Sequence, residues 1–262
     1  MTPRRPGPTR LALLAPAALA VALVVLPMLG LLARTDWGAL GTHLRAPVVW
    51  PAIRLSVLTT LVTVALCFVL GTPLAWLLSR ARGAVATWLR ALMTVPVVLP
   101  PVVGGVALLM AFGRRGVVGR PVFEAFGVSL PFTPTAVVLA QLFVSMPFFV
   151  LAVEGAMRSV DERYDAVAAT LGASPLRIFT RVALPLAGPG ILSGAALAWA
   201  RALGEFGATI TFAGNFAGTT QTAPLAVYVA LQNDPQAAIA LSLAMLLVSL
   251  LVLGLLRGRW LR

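Results

Sequence analysis

The sequence predicts an all-α integral membrane protein with six transmembrane helices. Sixty per cent of its 262 residues are hydrophobic and 11% are charged, roughly half the charge of a soluble domain. The apolar residues cluster into six runs, each long enough to cross roughly 30 Å of hydrocarbon as a helix. A charged, Ala-rich insert separates the fourth run from the fifth. We place the spans at about residues 11–33, 55–78, 91–112, 132–153, 184–207 and 237–256.

These six runs occupy most of the chain, so we predict one transmembrane domain over residues 1–262. The first run follows arginines and precedes small residues, as in a signal peptide. At 23 residues (11–33) it is longer than a typical signal core. We therefore expect it to be retained as the first helix.

The placement of the basic residues predicts the orientation. All twenty are arginine. With the N-terminus inside, thirteen lie in inner segments and six in outer segments, and cytoplasmic loops normally hold the excess. Both termini and the insert are therefore expected in the cytoplasm. The formal charge of +12 is then explained by arginines that orient the chain in the membrane. We therefore expect lipid contacts but no nucleic-acid partner.

The first half of the insert, residues 159–183, has the pattern of a short amphipathic helix. Ser159 and Glu162 fit a capping box that begins a helix. A stripe of apolar residues follows at the spacing of one helix face: Tyr164, Val167, Ala168 and Leu171. We predict a helix that starts near Asp161 and presents this stripe.

The second half of the insert predicts a turn and another helix. Gly172 lies just after the last residue of this stripe, where a helix commonly ends with a residue in the left-handed conformation. Ser174 and Pro175 then fit the first positions of a new helix, and Arg177 lies on its polar side. A loop with this much local structure has a surface that a partner can bind.

Two interpretations of the insert are open from its residues alone. An amphipathic helix can lie on the membrane surface, usually with basic residues on its polar face. Here that face has Asp161, Glu162 and Asp165, which anionic lipid would repel. The charges favour a protein partner.

The insert resembles the EAA loop of ABC importer permeases, whose pattern is E-A-A-x3-G-x9-I-x-L-P. Gly172, Leu184 and Pro185 match at the family spacing, while Ala166 stands at the Glu position and Val167 at the central Ala. The resemblance implies a coupling helix that fits a cleft in a cytosolic ATPase. The implied ATPase-coupling residues are Asp161, Glu162, Tyr164, Asp165, Ala166, Val167, Ala168, Leu171, Gly172, Ala173 and Arg177.

Charges and prolines inside the apolar runs indicate a transport pathway or its brace. Arg201 and Glu205 are four residues apart, so a helix would place them on one face as a pair. Charges at membrane depth usually face a bundle interior or a watery cavity. Pro100 and Pro101 interrupt the third run, and Pro147 the fourth, where bends suit a gate. A purely structural ion pair and ordinary packing kinks are equally open.

Two outer segments have alternative interpretations. The polar stretch 208–234 could return into the pathway, where hydroxyls and amides would escort an oxyanion, or form a plain exposed loop. Arg114, Arg115 and Arg120 could meet an anion or a docking protein, although a solvated loop is the simpler interpretation.

The stretches 95–116 and 200–228 are similar to permeases of the molybdate/tungstate branch, with sulfate permeases close behind. The resemblance implies a homodimeric permease in the bacterial plasma membrane, two cytosolic ABC ATPases that hold ATP and Mg²⁺, and an extracytoplasmic oxyanion-binding protein. The implied cargo is molybdate, with tungstate, sulfate or thiosulfate as alternatives. A more distant alternative is a channel or secondary transporter that works without an ATPase.

The residues argue against catalysis in this chain. A phosphate-binding loop of the G-x-x-x-x-G-K-[ST] type needs a lysine, and the sequence has none. One histidine and one cysteine do not make a metal cluster or a Ser/His/Asp set. We predict a non-catalytic subunit with no catalytic residue, metal or cofactor of its own.

Overall fold

The computed structural model describes residues 8–260, which fold into helices and connecting turns. No strand occurs within that range, so the all-α prediction is confirmed. Four helical segments are long and apolar enough to cross a membrane, and two sharply bent helix pairs raise this number to six if each pair is one crossing. The number of spans is therefore four to six.

Residues 8–159 contain eight α-helices, and the third continues through a π-helical turn at Cys67–Gly71 into the fourth to give one segment, Val49–Arg80. The helices are α1 (Pro8–Ala33), α2 (Leu40–Leu44), α3 (Val49–Leu66), α4 (Thr72–Arg80), α5 (Ala84–Val98), α6 (Pro101–Phe112), α7 (Gly119–Phe126) and α8 (Pro134–Ser159).

Residues 160–260, where the described part of the chain ends, contain seven further α-helices and a π-helical turn at Phe179–Ala183. They are α9 (Arg163–Thr170), α10 (Pro175–Ile178), α11 (Leu184–Leu186), α12 (Gly188–Leu203), α13 (Gly207–Phe212), α14 (Ala223–Asn233) and α15 (Pro235–Trp260).

The segment Val49–Arg80 lies parallel to α8. The Thr63 hydroxyl donates to Gln141 Oε1 at 3.1 Å, and one turn further Cys67 Sγ lies 3.7 Å from Ser145 Oγ. In each pair the two residues are 78 positions apart in the sequence. The two helices therefore run in the same direction and end together. The intervening chain, residues 81–133, therefore has to return to the opposite end of α8.

This return is made by α5 and α6, which meet at an angle of 115°. Leu99 and Pro100 each precede a proline and have extended backbones, because a residue before proline avoids the helical region. The third run, 91–112, is therefore bent at its prolines, as the sequence indicates. Pro100 forms the corner and Pro101 begins α6. The helix α8 continues through Pro147 without a break.

The glycines of α12 allow it to pack closely against α8 in the antiparallel direction. A Cβ on Gly190 would collide with Ala156, and a Cβ on Gly194 would lie 3.0 Å from Val153 Cγ2. Small residues one turn apart on one helix face allow this close approach. The predicted span 184–207 is interrupted, however, because α12 ends at Leu203 and α13 begins only at Gly207.

Candidate functional site

The insert exposes its apolar stripe outside the helix bundle. Tyr164 and Val167 are each 58% exposed and Leu171 is 82% exposed. Ala166 is exposed, while Ala168 and Ala173 are half-buried. Exposed apolar side chains on a helix outside the bundle form a surface that a partner could bind.

The first helix of the insert begins later than its sequence pattern predicts. Ser159 is the last residue of α8, and its hydroxyl donates to the Ala156 carbonyl. The capping box from Ser159 is therefore wrong. Asp161 caps the helix instead of Ser159, because its carboxylate accepts from the backbone N–H of Arg163 at 2.9 Å. A negative charge at the N-terminus of a helix is also favourable.

The turn and second helix start are confirmed. Gly172 has φ +81°, the left-handed conformation in which a residue without Cβ is favoured. Ser174 then accepts from the backbone N–H of Arg177 at 3.4 Å, with Pro175 at the first helical position. Arg177 itself is exposed.

The acidic residues of the insert do not all face outward. Asp161 and Glu162 are exposed, and Glu162 lies 3.3 Å from Arg82. Asp165 instead turns towards the bundle, where one carboxylate oxygen lies 2.8 Å from Arg80 Nε. The sequence does not indicate this contact, because its partners are 85 residues apart and no local pattern relates them.

Arg201 and Glu205 form the predicted ion pair, at 2.7 Å. The Glu205 side chain is 1% exposed and that of Arg201 27%. The other Glu205 oxygen accepts from the backbone N–H of Ala208 at 2.7 Å, so the carboxylate also caps the start of α13. The antiparallel register of α12 and α8 places this pair roughly level with Gln141, well inside the bundle.

The polar stretch after this pair is folded rather than a plain exposed loop. It contains two helices, and Thr220, Gln221 and Thr222 are buried. The Thr220 hydroxyl accepts from the backbone N–H of Phe216 at 3.0 Å. The Ser56 hydroxyl likewise accepts from the backbone N–H of Ala223 at 2.7 Å, which fastens this stretch to α3.

Several buried polar atoms of the same stretch have no hydrogen-bond partner within residues 8–260. They are Thr209 Oγ1, Asn215 Oδ1, Gln221 Oε1 and Thr222 Oγ1. Unpaired polar groups are costly to bury. The two threonine hydroxyls can donate a hydrogen bond, whereas the two amide oxygens can only accept one.

An open hollow of about 630 Å³ is lined by Arg114, Arg115, Arg120, Phe123 and Glu124. Arg114 stacks on the Phe123 ring with its guanidinium carbon 4.0 Å from the centroid. Arg120 pairs with Glu124 at 2.7 Å. Arginine is in excess over carboxylate here, so the hollow is basic.

Fold and site together define a multi-pass membrane protein with an exposed helical insert at one end and a buried charge pair inside the bundle. The family model described as "Binding-protein-dependent transport system inner membrane component" matches residues 68–258. The chain belongs to this family of ABC importer permeases.

The relatives of this chain within the family are named for different cargoes. The chain is 48% identical over 237 residues to "Molybdenum transport system permease protein ModB" of Mycobacterium tuberculosis, which covers 90% of this chain and 89% of ModB. It is 34% identical over 235 residues to "Sulfate transport system permease protein CysT" of Escherichia coli, at 88% and 84% coverage. A solved bacterial alginate ABC transporter has the same fold, with a TM-score of 0.74 at 15% identity and 95% and 92% coverage.

Proposed function

We propose that this chain is the pore-forming subunit of an ATP-driven importer that moves molybdate into the cytoplasm. The observation that carries the proposal is the 48% identity to a molybdenum permease along 90% of the chain. Identity at that level across nearly the whole chain favours the same machine and the same class of cargo.

The assembly that we propose contains two copies of this chain, two cytosolic ABC ATPases and an external oxyanion-binding protein. Both termini and the insert lie in the cytoplasm. The exposed stripe of Tyr164, Val167 and Leu171 docks in the ATPase, which binds ATP and Mg²⁺. The basic hollow around Arg114 and Arg120 lies outside, where it can meet an acidic surface of the binding protein by charge complementarity.

Transport then follows from movement of the insert. Closure of the ATPases on ATP displaces the insert, the spans rotate, and the pathway opens outward to receive the oxyanion. Release of hydrolysis products restores the inward state. The unpaired hydroxyls of Thr209 and Thr222 can donate hydrogen bonds to a passing oxyanion without a fixed cationic trap.

Sulfate is the second candidate cargo, favoured by the 34% identity to a sulfate permease over 88% of the chain. Both anions are tetrahedral and doubly charged, so the two functions differ only in selectivity.

Reconstitution separates these functions. The complete complex, with its ATPase and binding protein, is placed in proteoliposomes, and uptake of radiolabelled molybdate is measured with and without ATP. We expect uptake that depends on ATP, resists excess sulfate and is blocked by excess molybdate. Suppression by sulfate would favour the second cargo, and uptake without any ATPase would contradict the proposal.

A further inference from the structure

The last two turns of α4 hold the insert at two points. Trp76 and Arg80 are four residues apart and so lie on one face of that helix. The Trp76 ring packs on Phe179, near the end of the insert, with 5.3 Å between centroids. Arg80 Nε donates to Asp165, near its beginning, at 2.8 Å. One helix face thus contacts both halves of the insert.

Arg80 also connects the insert to a second long helix. Its Nη1 donates to the backbone carbonyl of Met157 at 3.0 Å, in the last turn of α8. Met157 is 1% exposed, so that carbonyl belongs to the packed end of the bundle. One guanidinium therefore joins three elements: the end of α4, the end of α8 and the coupling helix α9.

The environment of this contact makes it stronger than a surface ion pair. The side chains of Arg80 and Asp165 are each 19% exposed. Two residues further, Arg82 and Glu162 form a similar pair at 3.3 Å, but their side chains are 85% and 59% exposed. Exposed pairs of that kind contribute little, whereas a sheltered charge-assisted hydrogen bond is less screened.

The pair also has unused bonding capacity. Arg80 Nη2 and Asp165 Oδ1 are both buried and have no hydrogen-bond partner in the described part of the chain. A guanidinium and a carboxylate can form two parallel hydrogen bonds, so a small shift of α9 relative to α4 would add or remove one bond. Such a contact can differ in free energy between two positions of the insert, which is what a conformational switch requires.

We propose that Arg80 is a positioning residue that fastens the insert to the second and fourth spans through Asp165 and the Met157 carbonyl and transmits its motion to them. This inference depends on the proposed function, since it assigns a role within the same ATP-driven cycle. It also assigns Asp165 to the membrane domain rather than to the ATPase surface, in contrast to the exposed residues of the stripe.

The test measures molybdate transported per ATP hydrolysed by the whole complex in proteoliposomes. Arg80→Ala removes both hydrogen bonds. We expect the ratio to fall by about 2- to 30-fold, the range found for residues that carry coupling between sites, while the ATPase still co-purifies and still hydrolyses ATP. Arg82→Ala, the matched control, removes only the exposed pair and should stay close to wild type.

Two milder variants decide the matter if Arg80→Ala does not accumulate in the membrane. Asp165→Asn keeps the shape and one acceptor oxygen but removes the charge, and it should lower the ratio. Arg80→Lys keeps the positive charge but loses the planar guanidinium that can make two parallel hydrogen bonds. Its ratio of molybdate to ATP should lie between those of Arg80→Ala and the wild type. Wild-type ratios in both variants would overturn the inference.

Failure of the proposed function and failure of the Arg80 role give different results in these assays. If the unmodified complex shows no ATP-dependent uptake, the proposed function fails. If the unmodified complex couples normally and Arg80→Ala matches Arg82→Ala, only the role of Arg80 is refuted.

Discussion

Arg201 and Glu205 are joined by an ion pair of 2.7 Å at the point where α12 ends, and Glu205 is almost fully buried. Arg120 and Glu124 form a pair with the same spacing, the same order and the same 2.7 Å distance, but their side chains are 70% and 61% exposed. The chain therefore contains two geometrically matched pairs that differ in burial. They also differ in one hydrogen bond, since Glu205 accepts from the Ala208 backbone as well.

Glu205→Ala should be strongly destabilising. It leaves the Arg201 guanidinium without its partner and removes the acceptor for the Ala208 N–H, so we expect the free energy of unfolding to fall by up to about 3 kcal/mol. Glu124→Ala should change it by less than about 1 kcal/mol. Chemical denaturation of both variants in the same detergent measures the difference, and equal losses would contradict a structural role for burial.

Glu205→Gln separates the two functions of this carboxylate. The amide oxygen can still accept from Ala208, but the charge that pairs with Arg201 is gone. We expect a loss of stability smaller than that of Glu205→Ala. If the Gln variant is stable yet transports molybdate poorly, the charge belongs to the pathway rather than only to the fold.

Close packing of α12 on α8 predicts a second effect. Gly190→Ala would place a Cβ against Ala156, and overpacking of this kind costs typically about 1–3 kcal/mol. Gly188→Ala is the matched control, since a Cβ there has nothing within 4 Å. Thermal unfolding of the two purified variants should show a lower melting temperature for Gly190→Ala alone.

Local sequence patterns predicted the local features of the site. The four-residue spacing of Arg201 and Glu205, the glycine stop at Gly172 and the helix start at Ser174 each depend on residues within one or two turns. Such features follow from backbone geometry and capping chemistry, so a single sequence is sufficient to find them.

Features that depend on distant residues were missed. The contact of Asp165 with Arg80 joins residues 85 positions apart, and an amphipathic pattern cannot tell which acidic residue turns inward. Burial of Thr220 and Thr222 likewise depends on packing against other helices. The interruption at Gly204–Phe206 was not predicted, because the four-residue spacing of Arg201 and Glu205 fits a continuous helix, whereas the structure uses Glu205 to begin a new helix.

The exposed stripe of the insert predicts a loss of docking without a loss of stability. Leu171 is 82% exposed, so Leu171→Asp should change the free energy of unfolding by no more than about 0.5 kcal/mol. If this side chain enters an ATPase cleft, the same change should weaken ATPase binding about tenfold or more. Val117→Asp is the control, because Val117 is 85% exposed on a different segment. Titration of the ATPase onto each variant measures both affinities, and equal binding would contradict docking through the stripe.

Gly172 connects the two insert helices through a left-handed turn. Its φ of +81° is unfavourable for a β-branched side chain, while a Cβ would meet no atom within 4 Å. Gly172→Val should therefore act through backbone strain of about 1–2 kcal/mol rather than through a clash. We expect the strain to reorient α9 relative to α10 and to lower ATP-dependent molybdate uptake, while the protein remains inserted in the membrane.

Gly172→Asn distinguishes strain from the loss of glycine itself. Asparagine tolerates the left-handed conformation better than other residues with a side chain, so uptake should be largely retained. Membrane fractionation confirms insertion of both variants before uptake is compared. Wild-type uptake by Gly172→Val would mean that the orientation of the two insert helices does not matter for coupling. Equal loss of uptake in Gly172→Val and Gly172→Asn would point instead to direct contact of the ATPase with the Gly172 backbone. Any added side chain would then block that contact.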